Sequence, residues 1–296
     1  MIPRYSFAYG SNTDALDWCD WCARNGHDPA AIRPIGPGIL PDARLAFDFF
    51  GRGRGGGVLN FQTRLGGFVE GVILEVTEAG WQALDQKEGA PHAYQRRLRH
   101  IIRPDGQALE AIAYQVAPER QQGFVAPPAA YLQAVRRGFA AHGLYPQPLE
   151  AAARGEEGCH HLADVFVYGT LMEGGFWHAP AVRAGIAAIT PAETTGTLFD
   201  LGDYPALTLG EPTPIRGEIL TFKDIAKALP ILDEIEDAAP DGAPSGMYRR
   251  TIMKVTDHAG QRRRAWAYVM APEPLTGAPI ITSGDWRAHH QKKRAR

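Results

Sequence analysis

Short apolar segments separated by glycine and proline dominate the first half of the chain, and most are too short to be helices. Their β-branched and aromatic residues predict strands, while a few longer segments with apolar residues at helical spacing predict helices. The predicted strands are Tyr5–Tyr9, Leu45–Phe50, Gly71–Val76, Gln95–Ile102 and Ala111–Val116. The predicted helices are Asp14–Asn25, Glu78–Glu88 and Pro128–His142.

The second half shows the same kind of pattern, with one main helix among several strands. The predicted strands are Val165–Tyr168, Thr195–Leu201, Gly217–Phe222, Arg249–Thr256 and Arg264–Val269, and the helix is Lys223–Ile235. Neither half alternates strand and helix regularly, as a parallel α/β sheet would require. The pattern therefore favours a mostly antiparallel α+β domain whose sheet curls into a small barrel.

Two sequence blocks occur in each half and in the same order. Phe7-Ala8-Tyr9-Gly10-Ser11-Asn12 corresponds to Phe166-Val167-Tyr168-Gly169-Thr170-Leu171. Further along, Leu84-Asp85-x-x-Glu88 with Tyr94 corresponds to Leu232-Asp233-x-x-Glu236 with Tyr248. A single order of elements used twice at long spacing predicts two copies of one domain. The predicted organisation is a domain over residues 1–148, a linker over 149–163, a second domain over 164–275 and a tail over 276–296.

Composition narrows the class of protein. The chain of 296 residues is 45% hydrophobic and 22% charged, which is typical of a globular protein. Its net charge of −2 gives no general attraction to nucleic acid or to anionic membranes. No apolar segment approaches the roughly 20 residues of a membrane span, and Met1 is not followed by a secretory signal pattern. We therefore expect a cytoplasmic protein with neither a nucleic-acid nor a membrane partner. The three cysteines are too few for a disulfide framework.

The repeated blocks resemble the γ-glutamyl cyclotransferase superfamily, which includes the AIG2-like proteins. Tyr9-Gly10-Ser11-Asn12 is similar to the opening motif of that family, and Leu84-Asp85-x-x-Glu88-Gly89 is similar to the block that holds its catalytic glutamate. In the second half, Tyr168-Gly169-Thr170-Leu171 resembles the AIG2-like opening, and the segment from Gly196 to Leu207 resembles its middle signature. The matches leave out only the predicted linker and tail.

The resemblance implies a fold, an activity and a set of site residues. The fold is two tandem small mixed-sheet β-barrel domains of the α+β class with flanking helices. The acid/base residues are Glu88 and Glu236. The residues implied to bind substrate are Tyr9, Gly10, Ser11, Asn12, Tyr94, Tyr168, Gly169, Thr170, Leu171 and Tyr248. Thr13 and the loop Gly51–Gly57 depart from the family pattern, which bears on substrate choice more than on chemistry.

The implied reaction suits these residue types. In a γ-glutamyl amide, the substrate's own α-amino nitrogen can attack the γ-carbonyl, forming 5-oxoproline and releasing an amine or amino acid. Since the nucleophile belongs to the substrate, a carboxylate that moves protons and backbone N–H groups that bind oxygen are sufficient. We expect a small-molecule γ-glutamyl substrate and no metal or organic cofactor. The alternative is a non-catalytic binding module for γ-glutamyl or acyl-amide ligands, or one catalytic half with a scaffolding half.

Each candidate residue also has an ordinary structural interpretation. Glu88 and Glu236 are also explained as solvated helix ends, the tyrosines as core aromatics, and Asn12 as a helix cap. Cys19-x-x-Cys22 has the spacing of a metal or redox pair, but it lies in a tryptophan-rich helical pattern that favours packing. Cys159-His160-His161 resembles a metal site in composition only. For the arginines of the Gly51–Gly57 loop, an exposed mobile loop is favoured over an anion site, and for the basic residues Lys292–Arg296 a solvated chain end is favoured.

Overall fold

The computed structural model describes residues 3–210, 213–239, 246–271 and 275–294. For residue 294, only the backbone is described. The chain divides into two compact units. The first extends to Pro104 and resumes over Leu109–His161, and the second takes Asp105–Ala108 and the chain from Leu162 onward.

The first unit is a closed barrel. Its strands are β1 (Tyr5–Ala8), β2 (Ile32–Gly51), β3 (Gly56–Val76), β4 (Tyr94–Ile102) and β5 (Ala108–Val116). They are ordered β1-β5-β4-β2-β3, and β3 pairs with β1 to close the ring. Because β1 runs parallel to β5 and antiparallel to β3, the sheet is mixed. A short strand, β6 (His160–His161), extends the edge of β3.

Helices surround this barrel: α1 (Ala15–Asn25), α2 (Glu78–Glu88), α3 (Ala129–Ala141) and α4 (Gln147–Ala153). The ends of α2 are set by local chemistry. The Thr77 hydroxyl accepts a hydrogen bond from the Gly80 amide at 3.1 Å, and Gly89 ends the helix in the left-handed region at a φ of 61°. The helix therefore stops directly after Glu88.

The second unit repeats this barrel. Its strands are β7 (Asp164–Val167), β8 (Ile186–Thr195), β11 (Pro214–Phe222), β12 (Arg249–Asp257) and β13 (Arg262–Val269), in the closed order β11-β7-β13-β12-β8. Between β8 and β11 lies a separate hairpin of β9 (Thr197–Asp200) and β10 (Pro205–Thr208). The helices are α5 (His178–Arg183), α6 (Ile225–Ile235) and α7 (Trp286–Arg294).

The two barrels have the same cyclic order of strands. If β7, β8, β11, β12 and β13 are matched in chain order to β1, β2, β3, β4 and β5, the neighbours around both rings are the same. The parallel contact between first and last strand is also repeated, since β13 runs parallel to β7. The predicted fold class, two tandem mixed-sheet barrels with flanking helices, is confirmed.

The strands β2 and β3 are 20 and 21 residues long, far longer than the predicted segments Leu45–Phe50 and Gly71–Val76. The prolines and glycines in these strands resemble strand breakers in the sequence. The structure accommodates them at irregularities in register, between Pro34 and Gly36 and between Pro41 and Ala43. Strand propensities of single residues do not show that the pairing of β2 with β3 continues through such a shift in register.

The predicted linker, residues 149–163, is folded in the structure. Its first part lies in α4, where Leu149 and Ala152 are buried in the core of the first unit. Its later part pairs with β3, with His160 opposite Phe68. Ala151, Ala152 and Ala153 are strong helix formers, which favours α4 at this position. The two units divide between His161 and Leu162.

The predicted tail, residues 276–296, also packs within the second unit. It contains α7, whose Trp286 is buried, and His289 Nε2 lies 3.0 Å from the Asp200 carboxylate. Lys293 Nζ donates to the same carboxylate at 3.0 Å, so part of the basic stretch is an ion pair and not a free end. Residues 272–274, next to the predicted domain end, and residues 295–296 of the basic stretch lie outside the described residues.

In the first unit, an aspartate on α2 is held by an arginine and a tyrosine of the barrel. Arg96 donates from Nε and Nη2 to the two Asp85 oxygens, both at 2.8 Å, and the Tyr114 hydroxyl donates to Oδ1 at 2.7 Å. The Arg96 guanidinium lies over the Trp81 ring, 4.5 Å from its centroid. These contacts fasten the last turn of α2 to β4 and β5.

The second unit has the same anchor in a more buried form. Arg250 donates from Nη1 to Asp233 at 2.9 Å, and the Tyr268 hydroxyl donates to the other oxygen at 2.7 Å. Arg250 lies over the Trp266 ring at 5.1 Å. Its side chain is 1% exposed, whereas that of Arg96 is 32% exposed. The repeated aspartates Asp85 and Asp233 are thus explained by an Asp–Arg–Tyr anchor in each unit.

We expect Asp233→Ala to destabilise the second unit by about 3–5 kcal/mol, because it removes a carboxylate that pairs with the buried Arg250 cation. The matched change Asp85→Ala should cost the first unit less, since Arg96 can reach water. Amide hydrogen exchange in β12–β13 and β4–β5 would measure the two effects separately. Equal losses of protection in both units would contradict this account.

Candidate functional site

The loop Tyr9–Asn12 follows β1 and turns sharply. The Thr13 amide donates to the Gly10 carbonyl at 3.0 Å, which closes the turn. Within the part of the chain that the structure describes, the amides of Gly10, Ser11 and Asn12 donate no hydrogen bond. A Cβ on Gly10 would lie 3.3 Å from the Tyr131 hydroxyl oxygen, so this position has little room for a side chain. The loop therefore presents several unused N–H donors.

Glu88, the last residue of α2, lies beside this loop. Asn12 donates from Nδ2 to Glu88 Oε1 at 2.6 Å. The Asn12 Oδ1 atom is buried and has no partner among the described residues. The structure thus brings the predicted glutamate together with the predicted loop. It also shows that Asn12 contacts the carboxylate instead of capping α1, where no side-chain cap is present.

The predicted tyrosines of this unit are buried around the same space. Tyr9 donates its hydroxyl proton to the Tyr114 carbonyl, and Tyr94 donates to the Leu59 carbonyl at 2.6 Å. Burial raises the pKa of both phenols well above the usual value, so both stay protonated. Since their protons are used on the backbone, these tyrosines shape the site more than they donate to a ligand.

These groups line one cavity of about 1300 Å³. Its lining includes the whole Tyr9–Asn12 loop, Glu88 and Tyr94. Tyr131, which lies in the predicted helix Pro128–His142 and was not predicted as a site residue, also lines it and accepts a hydrogen bond from the Leu59 amide at 3.2 Å. No sequence signal distinguishes Tyr131 from the other apolar residues of α3.

A charged network that was not predicted surrounds Glu88. Asp17 of α1 receives two hydrogen bonds from Arg54, both at 2.7 Å, and one from Lys87 Nζ at 2.8 Å. Burial alone would raise the pKa of Asp17, but the bonds from Arg54 and Lys87 hold it at about 2. The Gly51–Gly57 loop, interpreted as exposed and mobile, is the turn of the β2–β3 hairpin and is fastened through Arg54.

This network acts on Glu88. Burial raises the pKa of the Glu88 carboxyl, while the charge of Lys87, the hydrogen bond from Asn12 and the charge of Arg54 oppose that rise. Lys87 itself has a pKa lowered by burial, and its ammonium lies near the Trp18 and Trp21 rings. Glu88 is therefore a half-buried acid whose proton affinity is adjusted by neighbouring cations.

The corresponding loop of the second unit, Tyr168–Leu171, makes the same turn. The Met172 amide donates to the Gly169 carbonyl at 3.1 Å, and the amides of Gly169, Thr170 and Leu171 donate no hydrogen bond among the residues described. A Cβ on Gly169 would lie 2.7 Å from Pro205 Cγ, so only glycine fits without a shift. The pattern of available donors is repeated.

Glu236 follows α6 as its C-terminal cap residue. Its backbone amide donates to the Leu232 carbonyl at 2.9 Å, but its carboxyl has no hydrogen-bond partner within the described ranges, and Leu171 takes the sequence position that Asn12 has in the first unit. Burial raises the pKa of its carboxyl to about 8. Burial raises the pKa values of Tyr168 and Tyr248, and the charge of Glu236 adds to the rise.

The tyrosines of the second unit repeat the backbone contacts of the first. Tyr168 donates to the Tyr268 carbonyl at 2.8 Å and accepts from the Leu207 amide at 3.3 Å. Tyr248 donates to the Pro205 carbonyl at 2.7 Å. Tyr168 and Tyr248 are thus held by hydrogen bonds equivalent to those of Tyr9 and Tyr94.

The cysteines lie apart from these groups. Cys22 is buried in the core of the first unit and Cys19 is exposed. Cys159 and His161 have ligand atoms within 4.8 Å of each other and of Glu157. Arg64 donates to the Glu157 carboxylate, however, and a cation would have to displace this guanidinium. No helix in the described part of the chain is long and apolar enough to cross a membrane.

Comparisons with known proteins agree with the sequence resemblance. A family model described as "Gamma-glutamyl cyclotransferase, AIG2-like" matches residues 6–132 and 165–288. No match was found among curated proteins.

Similar solved structures include one titled "Gamma-glutamyl cyclotransferase", with 20% identity, 51% of this chain and 85% of that chain covered, and a TM-score of 0.42. An AIG2-like protein from Mus musculus is 28% identical over 43% of this chain and 90% of its own, with a TM-score of 0.35. YkqA from Bacillus subtilis is 15% identical, with coverages of 90% and 84% and a TM-score of 0.34.

The raised pKa of Glu236 predicts a pH dependence of stability. The folded state keeps the Glu236 proton above pH 4.5, where an unfolded glutamate has lost it, so folding stability falls as pH rises towards about 8. The slope is up to ~1.4 kcal/mol per pH unit and smaller in practice because the side chain is partly exposed. The change in the free energy of unfolding caused by Glu236→Gln should therefore be more stabilising at pH 8.5 than at pH 4.5.

Urea unfolding of both proteins at the two pH values would measure this difference. The control is Glu234→Gln, which changes an exposed carboxylate on the same helix. A Glu236→Gln effect that is the same at both pH values, or that Glu234→Gln reproduces, would contradict the prediction.

Proposed function

Because this chain belongs to the γ-glutamyl cyclotransferase, AIG2-like family, whose model matches more than half of its residues, we propose that it cyclises γ-glutamyl amides. The product is 5-oxoproline, and an amine or amino acid is released. The observation that carries the proposal is the 2.6 Å hydrogen bond from Asn12 to Glu88, which joins the donor-rich loop to a half-buried carboxylate in one cavity.

In the proposed reaction, Glu88 accepts a proton from the substrate's α-ammonium group. The freed nitrogen attacks the γ-carbonyl carbon, and the amide bond to the leaving nitrogen breaks. Glu88 then gives its proton to that nitrogen, and the second proton that the attacking nitrogen loses as the ring forms passes through solvent to the departing amine. A pKa raised by burial suits both roles, since a general acid/base works best when its pKa is near the working pH.

The loop performs the complementary task of binding oxygen. The unused amides of Gly10, Ser11 and Asn12 can donate to the carbonyl oxygen as it gains charge, or to the substrate α-carboxylate. The buried Asn12 Oδ1 is an acceptor without a partner in the described residues, and the α-ammonium group would satisfy it. In this proposal, Glu88 transfers protons and the neighbouring loop amides bind oxygen, and both groups line one cavity.

A second candidate function concerns the second unit. Glu236 lacks the amide contact that orients Glu88, because Leu171 replaces Asn12, and a pKa of about 8 leaves its carboxyl largely protonated at neutral pH. These observations support a unit that binds a γ-glutamyl group without rapid turnover, or one that works best at higher pH. Activity of the single variants below separates these alternatives from two equal sites.

We expect Glu88→Gln to lower the rate of 5-oxoproline formation by about 10²–10⁴-fold at a site that turns over, since the amide keeps the shape but cannot take the proton. Assays on a panel of γ-glutamyl amides should include Glu236→Gln and the double variant. Circular dichroism would verify folding. Wild-type rates in all three variants, on a substrate that the unaltered protein cyclises, would show that the glutamates are structural.

Chelators should leave the proposed activity unchanged. The attacking nitrogen and the leaving nitrogen both belong to the substrate, so the reaction requires no metal-bound water. Activity would be compared before and after dialysis against EDTA, with Cys159→Ser as a control for the Glu157–Cys159–His161 cluster. Loss of activity that one added metal restores would favour metal-assisted hydrolysis instead.

A further inference from the structure

The cavity of the first unit has more positive than negative side chains. Its lining includes the basic residues Arg24, Arg52, Arg54, Lys87 and Arg120. The carboxylates in the lining are Glu88 and Glu119. The whole chain carries a net charge of −2, so this excess of cations is local.

Two of the five cationic side chains already form ion pairs. Arg54 and Lys87 both pair with Asp17, as described above. Arg24, Arg52 and Arg120 pair with no carboxylate among the residues that the structure describes. Arg24 makes one contact, from Nε to the Asp20 carbonyl at 3.1 Å. Three guanidinium groups at this cavity therefore retain donors for an anion.

These three arginines come from different parts of the fold. Arg24 lies on α1, Arg52 on the turn between β2 and β3, and Arg120 on the short 3₁₀ helix Pro118–Arg120 that follows β5. The Arg52 turn is held in place by the bidentate bond from Arg54 to Asp17. Their convergence on one cavity is therefore produced by the tertiary fold.

From this arrangement we infer that the first unit takes γ-glutamyl substrates whose leaving group is an acidic peptide, bound by Arg24, Arg52 and Arg120. The inference rests on the proposed function and adds the substrate class. A guanidinium group binds a carboxylate well, and the cavity of about 1300 Å³ exceeds the roughly 300–1,000 Å³ of common ligand pockets. Space therefore remains beyond the γ-glutamyl group for two or more further residues.

The leaving peptide must carry several carboxylates if it is to bind measurably more tightly than a neutral peptide. All three arginines are exposed, and one exposed ion pair changes an affinity by about fivefold or less. Two or three such pairs made together give about 10- to 100-fold. The reaction itself is unchanged: one C–N bond forms, one breaks, and the α-ammonium proton passes through Glu88 to the nitrogen of the departing peptide.

The test measures binding in the double variant Glu88→Gln/Glu236→Gln, where turnover is suppressed. The probes are γ-Glu-Glu-Glu, with an acidic leaving dipeptide, and γ-Glu-Ala-Ala, with a neutral one. We expect the acidic probe to bind at least about 10-fold more tightly by calorimetry, with the preference decreasing as salt is added. Adding Arg24→Gln, Arg52→Gln and Arg120→Gln should remove the preference.

The matched control removes three exposed arginines of the same unit that do not line the cavity: Arg33→Gln, Arg136→Gln and Arg154→Gln. This control should keep the preference. If the triple variant fails to fold, Arg24→Gln, Arg52→Gln and Arg120→Gln are tested one at a time. Each should lower the preference for the acidic probe in part. An α-linked Glu-Glu-Glu peptide has the same charges without the γ-linkage and should bind more weakly than γ-Glu-Glu-Glu.

The inference is overturned if both probes bind equally, if the control triple loses the preference as well, or if the α-linked peptide binds as tightly as the γ-linked one. Its failure is distinguishable from failure of the proposed function. Turnover of γ-Glu-Ala-Ala by the unaltered protein without an acidic preference would sink only the inference. Selective binding of the acidic probe without any 5-oxoproline would sink only the proposed reaction.

Discussion

The arrangement of each unit depends on an aspartate held by an arginine and a tyrosine of the barrel. Asp85 and Asp233 each precede a candidate catalytic glutamate by three residues, which is close to one helical turn. The bonds from Arg96 and Tyr114, or from Arg250 and Tyr268, therefore fix the end of the helix from which that glutamate projects. The carboxylate is thus positioned by groups on the barrel strands in both units, and in the first unit Asn12 of the loop also holds it directly.

The duplication and the fold class could be predicted from sequence because repeated blocks and short strands are local signals. The helix that carries Glu88 was predicted with the bounds it has in the structure, since Thr77 and Gly89 are strong end signals. The long β2–β3 hairpin and the fold of residues 149–163 could not be predicted in the same way. In both, tertiary pairing overrides residues that commonly break strands or form linkers.

The candidate site was predictable in part for a similar reason. Glu88 and the Tyr9–Asn12 loop belong to the repeated blocks, and the structure places them together. Asp17, Arg54 and Lys87 lie on three separate segments, and no spacing in the sequence relates them. The same holds for the hydroxyl of Tyr131. Groups that meet only because a barrel closes leave no pattern along the chain.

The tyrosine contacts at Leu59 have a consequence for how the two halves can diverge. Leu59 lies where the register of β2 and β3 shifts, and its amide and carbonyl are bound by Tyr131 and Tyr94 in place of a neighbouring strand. In the second half, Tyr168 and Tyr248 likewise bind backbone groups of Leu207 and Pro205. Phenols thus bind backbone groups in each half, on β3 in the first and on the β9–β10 hairpin in the second, while Asn12 and Leu171 take no part in these contacts. After a gene duplication, mutation can therefore alter the chemistry of one copy while its frame stays intact.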